Sequence, residues 1–390
     1  MSSLTWLDRL NIRATYGYNG NVDKSTSFKP LLTVSSTPNI ITGQFTGSIA
    51  SYGNPTLRWE KTGTWDFGVD YDMFGGKLFG KIDVYRKMSE DLIANREISA
   101  VQGTTSMKLN NGKILNKGFE LEIGSALNIT NKIAWTGTLR LSYNHNEVKA
   151  LKVSQHYGYN LVEGGSGAWV EGEDMHTLWC YEYGGLINLG SETSPHMAPS
   201  VYYEDGERVG FTSYLYGDGT SYCLNMGTTV APWNMSFSSN FRIYDFDFGF
   251  ILTGKFGHSF KRESFNYPAG TGSRYNLNSK YDEIKNCDPE VYCPLPQVDD
   301  ETRFYFWDRF YPYLSYLAEN AGHIRMQEIS LSYNFQKRLL SKLGMKSASV
   351  TFLTNNPFNI YFNSYNEDPE FAKGGMRLQP SYTIGLKVGF

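Results

Sequence analysis

A chain of 390 residues with 28 Tyr, 24 Phe and 39 Gly carries a net charge of −3 and a mean hydropathy of −0.40. It has no basic tract to give nucleic acid an electrostatic footprint, and no run approaches the roughly 18 apolar residues of a membrane helix. So many rings at a polar average suit a wall with one aromatic face and one polar face, which tilted strands of about 10 alternating residues build.

The elements repeat one signal along the chain. Leu10, Ile12, Ala14, Tyr16 and Tyr18 alternate with Asn11, Arg13 and Thr15. Trp65, Phe67, Val69, Tyr71 and Met73 alternate with Thr64, Asp66, Gly68, Asp70 and Asp72. Phe119, Leu121 and Ile123 flank Glu120 and Glu122, and Trp135, Leu139, Leu141 and Tyr143 alternate with Thr136, Thr138, Arg140 and Ser142. The pattern returns at Trp233–Arg242, Phe246–Phe256, Ile329–Phe335 and Tyr382–Phe390. A period of two means half-buried strands. About 11 residues at ~3.3 Å each, tilted near ~40°, rise roughly 28 Å, the thickness of a bilayer core and well beyond an ordinary soluble strand.

The links between strands alternate in length. Gly75-Gly76 and Ile243–Asp245 are tight, whereas 89–112, 145–174 and 258–323 are long, the asymmetry of an outer-membrane barrel with short periplasmic turns. The fold class is therefore all-β, an antiparallel transmembrane β-barrel segment of about twelve strands. One of these strands is needed within 187–229, near Val209–Tyr216. A short amphipathic helix is expected at Gln336–Leu343, stopped by Gly344. The start, MSSLTWLDRLN, has no charged-then-apolar export pattern, so the export signal is expected upstream.

Five segments, in order, carry a resemblance. LNIRATYGYNGN (Leu10–Asn21), NPTLRWEKT (Asn54–Thr62), NKGFELEI (Asn116–Ile123), IRMQEISLSYNF (Ile324–Phe335) and the Asp368-Pro369-Glu370 loop, followed by the ending PSYTIGLKVGF, are similar to segments of SusC/RagA-type TonB-dependent transporters. The resemblance implies that residues 1–390 form the C-terminal half of a roughly 22-stranded plugged barrel, with the N-terminal plug and the first barrel half lying outside this chain. It also implies residence in the outer membrane of a Gram-negative, Bacteroidetes-like cell and import of oligosaccharide or peptide. The implied partners are a SusD-like surface lipoprotein, the TonB complex acting through the N-terminal part, and the outer-membrane assembly machinery. Two other readings fit the strands alone. One is a passive channel closed on itself; the other is a soluble glycan-binding β-sandwich.

Candidate functional residues follow. Phe390 and Tyr382, in the terminal alternating strand, look like an assembly signal; the bland reading is an ordinary last strand. Tyr157, Tyr159 and Trp169 lie in a long Gly-rich connection where rings can grip a ligand. Trp307 and Tyr311, in FYFWDRFYPYLSY, suit either a ligand or the aromatic girdle of a membrane interface. Asp66, Asp70, Asp72, Glu120, Glu122 and Glu328 recur at strand period and are expected to face the lumen. Nothing in that repeat singles out a catalytic acid pair, and no nucleophile motif accompanies it. The histidines have no metal-ligand spacing, so neither a metal nor any other cofactor is expected, and the chain is not read as an enzyme. Cys287 and Cys293 are spaced to close a small loop disulfide in an oxidising compartment, or to remain thiols.

Overall fold

The computed structural model describes residues 5–21, 29–51, 53–97, 101, 106–152, 156–188, 190–193, 197–210, 215, 217–262, 310–342, 344–371 and 377–390. Ten long strands form one antiparallel sheet in which each pairs with the next. They are β1 (Leu7–Asn21), β2 (Glu60–Met73), β3 (Leu78–Glu97), β4 (Ser106–Thr130), β5 (Ile133–Leu151), β6 (Trp233–Ile243), β7 (Phe246–Phe256), β8 (His323–Asn334), β9 (Ser347–Asn355) and β10 (Ser381–Gly389). The short strand Asn359–Tyr361 pairs with the start of β8.

Register turns the period-two pattern into two continuous faces. One row reads Phe67, Val84, Phe119, Tyr143, Trp233 and Phe256 across β2 to β7. Another reads Trp135, Phe241, Phe248, Leu331, Phe352 and Ile384 across β5 to β10. These side chains stay open on the outer face; Phe67, Phe248 and Leu331 are among its exposed large hydrophobics. The opposite face reads Asn11, Asp70, Lys81, Glu122, Arg140, Ser236 and Thr253. A sheet with a bare aromatic face over so many strands is stable against lipid and not against water.

The tight links sit at one end. Phe74, Gly75 and Gly76 take positive φ between β2 and β3, a conformation that glycine adopts without steric penalty. Two-residue links join β4 to β5 and β6 to β7, and α2 (Lys337–Ser341) sits between β8 and β9 where a helix was expected. The long connections gather at the other end. Among the described residues the wall counts ten strands, where alternation led us to expect about twelve, and most of the strand expected near Val209–Tyr216 lies outside the described residues. Tyr183–Asn188, Met197–Tyr202 and Arg208–Gly210 form a separate three-stranded sheet, and Cys223–Thr228 pairs with Thr177–Tyr181. These pieces are too short to cross a bilayer core at ~3.3 Å per residue. Their apolar residues meet one another instead of lipid.

The sheet is open. Among the described residues, β1 pairs along one edge only, with β2, and β10 only with β9. Among the described residues, that pairing neither closes on itself nor forms two packed layers.

Candidate functional site

The long connections fold over the polar face of the wall. Ile114 and Val148 share that face with Glu120, Glu122 and Arg140 by register, and they are paired with each other near the upper ends of β4 and β5. Trp169 packs on them together with Ala94. The chain around Trp169 begins with α1 (Gly158–Glu163), whose Leu161 and Val162 enter a larger core. That core joins Trp179, Tyr181, Val201, Tyr222, Phe310, Leu314 and Leu317 from connections far apart in sequence. Cys180 and Cys223 lie on its paired strands as free, buried thiols.

Between this loop core and the wall lies a cavity of about 950 Å³. Its apolar side is formed by Leu161, Val162, Trp169, Trp179 and Phe260, and its charged side by Lys255, Lys261, Glu163 and Glu370, with His258 between. Lys255 is the last inward-facing residue of β7 and stands across from His323 of β8. A bulge at Gln327 puts it between Met326, opposite Leu252, and Glu328, opposite Ile251. This shift keeps Met326 on the outer face and turns Arg325 and His323 inward.

A buried polar cluster holds the 356–371 connection against the inner wall. Arg325, 2% exposed, donates two hydrogen bonds to the carboxylate of Asp368, also 2% exposed, one of them at 3.0 Å. The Tyr361 hydroxyl donates to Asp368 at 3.0 Å. Arg262, also 2% exposed, pairs with Glu367 at 2.8 Å. Burial raises the Asp368 carboxyl, but hydrogen bonds from Arg325, the Glu370 amide and Tyr361 outweigh it and hold the group below the usual carboxylate range. His258 is pushed down to about 4, first by burial and then by His323 and Lys255.

Lower down, the polar face is an ion-pair ladder. Arg13 reaches Asp83 at 2.6 Å and Asp70 at 3.4 Å, Arg9 reaches Asp72 at 3.0 Å, and Arg140 reaches Glu122 at 2.7 Å. Asp66, Glu120 and Glu328 stand on the same face by register.

The aromatic residues singled out by sequence fall in different places. Trp169 lines the cavity at 8% exposure. Tyr157 precedes α1, and its ring stacks on that of Tyr159 at 5.6 Å and 7°. Tyr311 begins a short turn, Tyr311–Tyr313. Tyr382 and Phe390, 65% and 80% exposed, lie at the two ends of the last strand segment. Trp307, Cys287 and Cys293 lie outside the described residues. Lys255, His258, Glu370 and the Arg325–Asp368 pair were not chosen from sequence. The break in alternation at Arg325-Met326-Gln327-Glu328 was the local signal, because a doubled residue there re-aims its neighbours.

Among the described residues, no three His, Cys, Asp or Glu side chains gather as a metal site. What the arrangement offers is a mixed apolar and ionic pocket on the polar face, at the mouth made by the long connections.

Comparison with known proteins agrees with the architecture. The family model described as "TonB dependent receptor-like, beta-barrel" matches residues 2–220. TonB-dependent receptor P39 of Formosa agariphila is 25% identical over 100% of this chain and 41% of its own length. TonB-dependent receptor SusC of Bacteroides thetaiotaomicron is 25% identical over 86% of this chain and 32% of its own length. In structure, the chain is similar to the RagAB peptide transporter, with a TM-score of 0.69 and 18% identity, over 99% of this chain and 41% of that one. The chain thus spans about two fifths of the length of the first of these relatives.

Proposed function

This chain belongs to the TonB dependent receptor-like β-barrel family, and on that premise we propose that it supplies part of the wall and the outer vestibule of a SusC/RagA-like importer. Membership places it in the outer membrane. The cargo is an oligosaccharide or a peptide, and the host is Bacteroidetes-like, as the Formosa and Bacteroides relatives suggest. A plug, the other barrel strands and the site coupled to TonB belong to the rest of such a protein, and a SusD-like lipoprotein closes over the vestibule. The work of this chain is binding and passage, not bond chemistry.

One observation carries the reading: the long connections turn inward and leave a cavity of about 950 Å³ against the polar face of the wall. Loops serving only as surface links have no reason to bury a tryptophan on lumen-facing Ile114 and Val148. The ladder Arg9–Asp72, Arg13–Asp83 and Arg140–Glu122 supports a hydrated conduit beneath.

The test is deletion of the gene in its host, followed by growth on peptide digests and on oligosaccharide mixtures as sole carbon source. Loss of growth on one of the two, restored by the intact gene, is expected and identifies the cargo. Unchanged growth and uptake on both would overturn the importer reading.

A further inference from the structure

The cavity already contains a carboxylate of the protein's own. One Glu370 oxygen lies 2.6 Å from the Lys255 ammonium, and the other lies 3.0 Å from Arg325. Lys255 and Glu370 line the cavity with side chains 46% and 34% exposed. The neighbouring Arg325–Asp368 pair is enclosed, at 3% and 1%. The two ion pairs therefore differ in kind. Asp368 is a fixed anchor, since a buried charge stripped of its partner is strongly unfavourable. Glu370 is an exchangeable occupant, since a half-exposed pair holds weakly. Beside it, the buried Nδ1 of His258 has no hydrogen-bond partner among the described residues, and its ring stands 6.1 Å from that of His323.

We propose that the cavity takes solutes bearing a carboxylate next to an apolar body, and that the solute's carboxylate replaces Glu370 on Lys255. The exchange keeps the charge at Lys255 balanced. It frees the Pro369–Phe371 side of the cavity from the wall, while Asp368 keeps the connection attached. The apolar body rests on Leu161, Val162 and Phe260. Neutral sugars fit less well, because Trp169 and Trp179, at 8% and 6% exposure, leave little ring surface open for stacking. The inference rests on the cavity being the importer's entry site. Two sources share the chemistry: a peptide carboxylate and a uronic-acid oligosaccharide.

The experiment measures equilibrium binding to the full-length transporter in detergent. The probes are an N-acetylated Leu-Leu-Phe peptide with a free carboxylate, the same peptide as its amide, a trigalacturonate and its methyl ester. In one pair the acid is expected to bind at least about tenfold more tightly than its neutral form, and the responding pair identifies the source. Glu370→Gln should tighten acid binding several-fold, because the internal competitor is gone. Lys255→Met should abolish the preference and Lys255→Arg should restore it. A merely structural Glu370 would weaken binding of every probe when changed. Heat-modifiable migration on gels reports assembly of each variant, with Lys255→Gln replacing Lys255→Met if the latter fails to assemble. Equal binding of acid and neutral forms, or weaker acid binding in Glu370→Gln, would overturn the exchange. If no probe binds at all the exchange falls as well, while the importer reading stands or falls separately on the growth test.

Discussion

At the scale of single residues, the two faces of the wall make opposite demands. Phe248 and Leu331 are register partners on the outer face, 37% and 43% exposed. Ser236 stands on the other face between Arg140 and Thr253. Asp at position 248 or 331 puts charge against lipid, approaching the ~2–4 kcal/mol of a charged lipid-facing side chain. Phe248→Asp and Leu331→Asp should therefore block membrane assembly, while Ser236→Asp should be mild, as read from the heat-modifiable fraction of isolated outer membranes. Equal tolerance at the three positions would contradict the assignment of faces. Asp368→Asn removes the enclosed charged partner of a buried guanidinium and leaves it only Glu370 at 3.0 Å, which should cost up to about 3–5 kcal/mol, seen as protease cleavage within 356–380 that the parent protein resists. Titration acts on the same connection. Asp368 has a lowered carboxyl, so its contribution is complete above the ordinary carboxylate range near ~4 and is lost as pH falls through the lowered value. His258, lowered to about 4, contributes fully above its ordinary value near ~6.5 and loses that contribution as pH falls through about 4. Both act in the same direction but in successive windows: acidification should loosen this region and speed its proteolysis through His258 between pH ~6.5 and ~4, and through Asp368 only below ~4. His258→Phe should remove the part of that change lying above pH ~4.

At the scale of elements, the connections are anchored by a few buried groups. Asn110, 6% exposed, donates to the carbonyls of Arg58 and Asp91 at 2.7 and 2.6 Å and accepts from the Arg58 amide at 2.7 Å. Arg58 then pairs with Asp91, a residue at positive φ where β3 is bulged. The Asn54–Thr62 segment, noticed in the sequence as a family-like string, thus locks the approach to β2 onto two neighbouring strands. Trp169 plays the matching part for α1 and the turn after it, filling the space over Ile114 and Val148. Trp169→Ala should cost about 3–5 kcal/mol locally. It is expected to expose 152–176 to protease and collapse the cavity wall, with the outer strands still assembled. Loss of assembly in that variant would mean that the loop core supports the wall instead of resting on it.

At the scale of the whole molecule, the open sheet decides what the chain can do by itself. In lipid, each unpaired backbone group along β1 and β10 costs several kcal/mol, a total on the order of tens of kcal/mol for two bare edges. Residues 1–390 expressed alone should therefore yield aggregates or edge-paired multimers, without a heat-modifiable monomer. Cross-linking of the extracted membrane fraction measures this, and a stable monomeric barrel would contradict the open topology. The same edges are where the remaining strands of a longer barrel would pair.

Much of this architecture was legible beforehand, because a β-wall obeys a local rule. A period of two assigns each residue to a face, and residues such as Trp65, Phe67, Phe248, Leu331, Asp70 and Glu122 fell on the faces their chemistry required. Turn signals such as Gly75-Gly76 and the helix before Gly344 were equally local. The rule fails where burial stops being periodic. The described pieces of 187–229 are short, and their apolar residues pack into a loop core and not onto lipid. Lys255, His258, Arg325 and Glu370 form one cluster only because the end of β7, 257–262, β8 and the 356–371 connection converge. By itself the sequence determined an antiparallel membrane wall, its two faces and its short-turn end. Tertiary structure alone decided the cavity and its ionic contacts, because contacts between segments distant in the chain leave no periodic trace along it.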